Sequence, residues 1–545
     1  MKKSVKLIVS LTSYPARIDT VYQTVESILN QTLAPHKVVL YLGMDRFPKK
    51  EQNLPANLLK LRSDRFEIHF VEKDLRSYTK LIPALREFPD DIIVTADDDI
   101  VYPENWLALL YDGYKKFPKC IQAHRGFVMR VTENEILPYL CWPRGPYIQG
   151  KGYFGVTGDN SVPGFKNFFT GVSGTLYPPH SLHPDVMNEK LFKSLAPTED
   201  DVWFWAMAVH NGTKINIIQN NLGVIGNNPE ANQEYSLYRI NSQNDCTNSV
   251  FTNVFEAYPD VRDKVMAERD KIIVSLTSFP ARISTVHQTI ESLLKQTKKA
   301  DKVILWLAPE QFPNKEKDLP QKLLNLCDCG LTIDWYHDIK SYKKFIPSLK
   351  KYPNDIIVTA DDDLIYEKDW LEKLVASYIK YPKNIHCHRA HGITMKDNSL
   401  SPYRQWLWCK KISDESFNNF CTTGAGALYP HHCLHPDAFV QEQFIKLAPT
   451  ADDIWFWAMA VHNGTRIRII ENANSNLTYV PGTQEGECLW QENGVSGKND
   501  EQLQNVLEEY PDVFRQLERW YGTENTYHHR YYLFGFIPLF SVTRY

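Results

Sequence analysis

Two tandem α/β domains, each built on a mostly parallel sheet flanked by helices, are what this sequence predicts, and three observations carry the prediction. An apolar run, Ile92-Ile93-Val94-Thr95-Ala96, stops abruptly at Asp97-Asp98-Asp99. The same run and the same stop recur as Ile356-Ile357-Val358-Thr359-Ala360 followed by Asp361-Asp362-Asp363. Upstream of each copy, short β-branched stretches alternate with helical patterns, the rhythm that gives a parallel sheet covered on both faces. A β-branched run bounded by polar residues reads as a buried strand, so the acids stand at its carboxyl end, where ligands of open α/β sheets bind. Three adjacent carboxylates repel one another unless a cation lies between them, and clustered oxygens suit hard ions such as Mg²⁺ or Mn²⁺. A solvated acidic turn is the plainer alternative, and the second copy in the same context weakens it.

The repeat sets the domain count. Ser10-Leu-Thr-Ser-Tyr-Pro-Ala-Arg17 matches Ser275-Leu-Thr-Ser-Phe-Pro-Ala-Arg282 at an offset of 265 residues, which narrows to 264 at the aspartate triplet and to 252 at Asp200-Asp201 against Asp452-Asp453. The first copy therefore carries extra residues between Arg125 and Thr170, assigned to the Gly-rich stretch from Gly150 to Gly164. Repeats of this length are whole domains with their own cores, placed at 1–265 and 266–520, with an aromatic tail at 521–545. Within the first copy, strands are expected around Leu7 to Leu11, Val38 to Leu42 and Glu67 to Val71. Helical patterns fall between them, through Val21, Val25, Ile28 and Leu29, then after Pro55, and near Lys80 to Glu87 ahead of the acidic strand. The later half is less regular and holds a helix whose apolar, aromatic face includes Trp203, Trp205, Met207 and Val209. A helical pattern near Asn248 to Tyr258 closes the copy, Val261 to Asp270 links it to the next, and the second copy closes near Gln502 to Tyr510.

Composition narrows the class. Lys plus Arg number 61 against 65 for Asp plus Glu, a net charge of −4, so nothing argues for a nucleic-acid partner. A chain that is 43% hydrophobic can bury sizeable cores. The ten cysteines fall mostly where the other copy has a different residue, and Cys327-Asp328-Cys329 lacks the spacer of a zinc knuckle, so reduced thiols in the cytoplasm are expected. The basic N-terminus is followed by an apolar segment too short for a signal peptide, and no run approaches a membrane span.

Several constellations flank the triplets. Asp74 and Asp338 follow a strand and precede a Ser-Tyr turn, which suits the base or ribose of a nucleotide, and Lys80 and Lys344 suit a phosphate, with plain surface solvation as the alternative for the lysines. Thr12, Arg17, Thr277 and Arg282 lie in the first turn and would line the same pocket, stiffened by Pro15 and Pro280. Pro-Thr-Glu199-Asp200-Asp201 matches Pro-Thr-Ala451-Asp452-Asp453; Thr198 suits a helix N-cap, with the acids in the first turn where the macrodipole favours them. His183-Pro-Asp185 and His210 recur as His435-Pro-Asp437 and His462, either completing a metal sphere or serving as caps and core. Thr170-Gly-Val-Ser-Gly174 and Thr422-Thr-Gly-Ala-Gly426 are small-residue loops that let backbone approach a sugar, and their differences, with Trp142-Pro-Arg against Trp406-Leu-Trp408, point to different sugars or acceptors.

The strand-turn Ser-Leu-Thr-Ser-Tyr/Phe-Pro-Ala-Arg, the strand ending in Asp97-x-Asp99 and the later acidic pair, in that order, resemble nucleotide-sugar-dependent glycosyltransferases of the GT-A fold, and most of all the bacterial family-2-type enzymes that build surface polysaccharides. The resemblance covers both copies nearly end to end. It implies Asp97, Asp99, Asp361 and Asp363 as ligands of Mn²⁺ or Mg²⁺, with Asp98 and Asp362 on ribose hydroxyls or the donor sugar. It implies Asp201 and Asp453 as the base that deprotonates the acceptor; this chain has Asp-Asp where the family has Glu-Asp, which keeps Asp200 and Asp452 as candidates too. The implied activity is a bifunctional, inverting transfer from a nucleotide-sugar donor such as a UDP-sugar to a growing capsule, lipopolysaccharide or similar glycan, on a lipid carrier or free. The tail from Tyr521 to Tyr545, aromatic with basic flanks, is similar to the C-terminal segments of some such enzymes and implies peripheral contact with the inner membrane. The rival readings are one catalytic copy beside one carbohydrate-binding copy, and a metal-dependent glycosidase or phosphohydrolase.

Overall fold

The computed structural model describes residues 5–142, 162–218, 222, 225–226, 228–230, 246–397, 399–473, 477–483 and 497–524, with the backbone of short strands at 147–148, 152–153, 529–533 and 537–542. The chain divides into two compact units, Met1–Asp270 and Lys271–Tyr545.

In the first unit, β1 (Leu7–Thr12), β2 (Lys37–Gly43), β3 (Phe66–Val71) and β4 (Ile92–Thr95) run parallel. With β5 (Ile121–Ala123), β6 (Thr175–Tyr177) and β7 (Ile215–Ile217) they form one sheet in the order β7-β5-β6-β4-β1-β2-β3, in which only β6 is antiparallel to its neighbours. Successive side chains of a strand face opposite sides, and here both sides are buried. Leu7, Val9, Ile92 and Val94 enter one core, while Ile8 and Ile93 enter the other. The charge-free, mostly apolar sequences of β1 and β4 are therefore what a central strand with two covered faces requires.

Helices α1 (Val21–Leu29) and α2 (Trp106–Lys116) pack on one side of this sheet. On the other lie α3 (Asp200–His210), α4 (Cys246–Ala257) and α5 (Pro259–Ala267). Three expectations change here. Helix α3 has no solvent face: every residue from Val202 to Val209 is buried, and the Trp203 and Trp205 indoles donate to the carbonyls of Val186 and Phe165, both at 3.1 Å. A helix apolar on all sides is a core helix. Thr198 does not cap it; Glu199 occupies the cap position, and its carboxylate accepts from the Thr247 hydroxyl at 2.7 Å. The stretch expected to link the copies is instead largely α5, an ordered part of the first unit whose Val261 and Val265 enter its core. Of the Gly-rich insertion, residues 162–164 are described, with Gly164 bridged to Ile215, and further back only the backbone pairing of Tyr147–Ile148 with Gly152–Tyr153.

The second unit repeats the plan with β8 (Ile272–Thr277), β9 (Lys302–Leu307), β10 (Leu331–Trp335), β11 (Ile356–Thr359), β12 (Ile385–Cys387), β13 (Glu415–Ser416), β14 (Ala427–Tyr429) and β15 (Ile467–Ile469). Their order is β10-β9-β8-β11-β14-β12-β15-β13, with β14 and the added edge strand β13 antiparallel. Its core helix is α6 (Asp452–His462), and α7 (Lys498–Glu509) and α8 (Pro511–Glu524) close it. Both units thus have the α/β class expected. The tail backbone pairs as a hairpin, His529–Leu533 with Ile537–Val542; its side chains, on which the membrane expectation rests, lie outside the described residues. Among the described residues no helix is long and apolar enough to cross a membrane, and the nine cysteines there are free thiols.

Trp203 and Trp455 fill equivalent places in the two cores and are fully buried. Replacing either by Ala removes a large buried ring and leaves the Val186 or Ala438 carbonyl without its donor, so each is expected to destabilise its own unit by about 3–5 kcal/mol in urea unfolding.

Candidate active site

The site grows out of the end of β4. Beyond Thr95 the chain leaves the sheet, and the three aspartates take different surroundings. Asp98 turns inward: Oδ2 accepts from Ser13 Oγ at 2.6 Å and Oδ1 from Arg17 NH1 at 2.8 Å, while its backbone carbonyl accepts from Thr24 Oγ1 at 3.1 Å. The Arg17 guanidinium also stands 3.0 Å from Asp99 Oδ2. Burial pushes the Asp98 carboxyl up to about 6, against the pull of Arg17 and Ser13. Asp97 faces outward with its side chain 26% exposed, and its backbone N–H donates to the Tyr102 hydroxyl at 2.9 Å.

Lys80 joins this cluster to the second acidic motif. It ends the 3-10 turn Arg76–Lys80, and the Ser10 hydroxyl of β1 holds its carbonyl at 2.5 Å. Its buried ammonium donates to Asp97 Oδ1 at 3.1 Å and stands 3.2 Å from Asp200 Oδ2. Solvation at the surface is therefore not its state, and its flanking acids hold its pKa well above the usual lysine range. Asp201 accepts from the Gly171 N–H at 2.9 Å. Burial, reinforced by the neighbouring Asp200, raises the Asp201 carboxyl to about 8.

The second unit reproduces the network. Ser278 and Arg282 bind Asp362 at 2.6 and 2.8 Å, Arg282 stands 2.9 Å from Asp363, and Lys344 reaches Asp361 at 3.0 Å and Asp452 at 3.1 Å. The Asp361 side chain is the most open of its triplet, at 38% exposed. Of the differences between the two loops, one touches the proposed base directly. Where the first has Gly171, the second has Thr423, which gives Asp453 both its N–H at 3.0 Å and its hydroxyl at 2.5 Å. The extra donor favours the ionised carboxylate, and Asp453 is raised only to about 6. A Cβ at Gly171 would lie 2.8 Å from Asp201 Oδ1, so a side chain there requires that carboxylate to shift.

The structure thus gathers Arg17, Lys80, Asp97, Asp98, Asp99, Asp200 and Asp201 into one cluster, and Arg282, Lys344, Asp361, Asp362, Asp363, Asp452 and Asp453 into another. Thr12 and Thr277 border them, their hydroxyls donating to the Tyr41 and Trp306 carbonyls, each at 2.8 Å. Asp74 and Asp338 stand apart, at the ends of β3 and β10, three strands from β4 and β11 in the sheet order. Each caps its own turn, accepting from Arg76 N at 2.8 Å or Lys340 N at 3.0 Å. The small-residue loops are shaped by contacts inside the protein: Gly174 and Gly426 have φ of +89° and +106°, and a Cβ on either would strike the ring of Trp106 or Trp370. His183 and His210 do not meet the triplet. His210 ends the helix that Asp200 and Asp201 begin, about 15 Å away along its axis. Trp142 and Trp406 are core residues, whereas Trp408 is 44% exposed and lies beside His391 and Tyr403.

Ser13, Ser278, Thr423 and Tyr403 were not singled out in the sequence. The serines sit inside the repeated turn motif, so repetition could have found them; that Thr423 touches Asp453 and that Tyr403 feels its charge depend on folding.

The donor chemistry of this set suits a divalent cation, while among the described residues no three of its carboxylates offer ligand atoms within 4.8 Å of one another. Each cluster holds five carboxylates against one arginine and one lysine, all oxygen donors of the kind hard ions take, and Asp97 and Asp361 open toward solvent.

No family model matches the chain, and no curated protein matches it. Solved structures that overlap it include S. aureus TarS 1–349 in complex with UDP-GlcNAc, at 14% identity over 40% of this chain and 60% of that one, TM-score 0.26. A second is a 4-diphosphocytidyl-2C-methyl-D-erythritol synthase, at 12% identity over 40% of this chain and 95% of that one, TM-score 0.26. The chain spans 60% of the length of the TarS 1–349 chain. Similarity at this level carries no functional argument.

Removing one partner of the Arg17–Asp98 pair strands a charge out of water. Arg17→Met is expected to cost the first unit about 3–5 kcal/mol in urea unfolding. Adding Asp98→Asn should return part of the loss, a coupling that a double-mutant cycle measures directly.

Proposed function

We infer that the chain is a glycosyltransferase with one active site in each unit, taking a nucleotide-sugar donor such as a UDP-sugar together with Mg²⁺ or Mn²⁺. The observation that carries this reading is the lysine bridge. Acids at the end of the central strand and acids at the start of the core helix, about a hundred positions apart in sequence, meet around one buried ammonium, and they do so twice. A solvated acidic turn would need neither the burial nor the second motif.

Each residue then has a task. Asp97 and Asp99, with Asp361 and Asp363, would hold the cation, which when bound neutralises charge on the leaving diphosphate. Asp98 and Asp362, both oxygens engaged by Ser and Arg, brace the turn that presents the outer two. Lys80 and Lys344 set the spacing between that turn and the base. Asp201 or Asp453 takes the proton of the acceptor hydroxyl as its oxygen bonds to the anomeric carbon and the bond from that carbon to the diphosphate breaks, a single displacement that inverts configuration. In the second unit, the exposed Trp408, packed beside the buried Tyr403, offers an aromatic face on which an acceptor sugar could stack. A growing surface polysaccharide, with its repeating sugars, is the acceptor class that fits two linked transferase sites.

Asp99→Ala and Asp363→Ala are each expected to abolish one transfer and spare the other, scored with UDP-sugar panels and Mn²⁺ by product mass. Chelation should stop both. Loss of both transfers from either single variant would refute independent sites.

A base works in its ionised form, so each rate falls as pH drops through that carboxyl's pKa. Asp201 at about 8 and Asp453 at about 6 place the acid limb of the first site at higher pH. A bound cation lowers both values, and the order is what the profiles of the Asp363→Ala and Asp99→Ala proteins should preserve. Thr423→Gly should move the second limb upward toward the first.

A further inference from the structure

Far from the candidate active site, each unit assembles two imidazoles and a carboxylate. In the first, His183, Asp185 and His210 each place one ligand atom within 4.8 Å of the others; in the second, His435, Asp437 and His462 do the same. All six are half-buried. His183 Nδ1 lies 3.7 Å from Asp185 Oδ2, and His435 Nδ1 lies 3.6 Å from Asp437 Oδ1. The paired rings stand 4.2 and 3.9 Å apart between centroids and are tilted by 59° and 49°, not stacked.

Behind these atoms sits a second layer. His210 Nδ1 donates to Asp260 at 2.9 Å and His462 Nδ1 to Asp512 at 2.6 Å, which directs the Nε2 lone pair of each ring away from that carboxylate. The hydroxyls of Tyr258 and Tyr510 donate to Asp185 Oδ2 and Asp437 Oδ2 at 3.0 and 3.2 Å. A carboxylate behind a ligating imidazole, and a donor behind a ligating carboxylate, are how proteins fix the tautomer and orientation of metal ligands. His183 and His435 also cap their turns, each Nδ1 accepting from the N–H two residues on at 3.3 Å, and Asp260 also pairs with Lys264 at 2.8 Å. All five polar members recur unchanged within repeated stretches such as Tyr258-Pro-Asp-Val261 and Tyr510-Pro-Asp-Val513, while Val186, Met187 and Asn188 face Ala438, Phe439 and Val440 in the alignment.

We propose that each unit carries a transition-metal site, formed by His183, Asp185 and His210 in the first and by His435, Asp437 and His462 in the second, that takes a borderline ion of the Zn²⁺ class. Imidazole suits that class, whereas the all-oxygen acidic clusters suit Mg²⁺ or Mn²⁺. The ligands come from the turn after β6 and the end of α3, and their supporting groups, Tyr258 and Asp260, come from the end of α4 and the start of α5. A bound ion would therefore fasten the closing helices of each unit to its core helix. This assignment stands apart from the transferase reading.

The test uses the full chain, stripped with a chelator and dialysed against Zn²⁺ in excess Mg²⁺, so that the acidic clusters hold the hard ion. Wild type should retain two zinc ions per chain more than the His183→Asn/His435→Asn double variant, and one more than either single variant. Co²⁺ in place of Zn²⁺ should give visible d–d absorption that the double variant lacks, which separates this site from the free thiols. Asp185→Asn/Asp437→Asn keeps an acceptor for both tyrosines and should lose the same two ions, so the assignment stays testable if the histidine variants do not fold. Equal zinc content in wild type and the folded variants, or none in wild type, overturns it.

Discussion

The structure of each unit turns on a buried lysine ammonium held between carboxylates from two distant motifs. Lys80 and Lys344 are removed from water and stand about 3 Å from acids at the end of the central strand and at the start of the core helix. An isolated ammonium in that place would be costly, as would the aspartates without it. The contact therefore demands that strand end, turn and helix start all reach their native positions together. The serine on the first strand that binds the lysine's carbonyl adds a third element to the same requirement.

Around that contact the charges are graded by burial. In the triplet, the middle aspartate is locked by a serine and an arginine and serves as foundation, and the first is the most open. In the pair, one acid faces the lysine, and the other accepts from a loop N–H and is left close to neutrality by its surroundings. Among the differences between the two copies, one hydroxyl reaches the proposed base. Thr423 supplies a hydrogen bond that Gly171 cannot, which separates the two proposed bases in acidity.

The far end of the core helix carries a different chemistry. Acids gather at its N-terminal turn, where the macrodipole favours negative charge, and histidines at its C-terminal turn, about 15 Å off. One buried helix thus ties an oxygen-rich cluster on one side to an imidazole cluster on the other. Its freedom from solvent on every side makes it a rigid spacer between them.

Much of this was legible in the chain. Short β-branched runs with no charge, ending in three aspartates, identify central strands because a strand covered on both faces is apolar at consecutive positions and a buried helix such as α3 is longer. Their repetition at a nearly constant offset identifies two domains. Composition could not assign partners within the acidic sets. That Lys80 is buried, that Asp98 faces inward while Asp97 faces out, and that Asp74 caps its own turn all follow from where segments far apart in sequence come to rest. Helix α3 looked one-sided and proved enclosed because α4 and α5 cover it, and the supposed linker is one of those covering helices. Local pattern decides which segments are strand or helix and where the acids cluster, since those preferences act over a few residues. Burial, and with it charge state and pairing, is decided only when distant segments exclude water together.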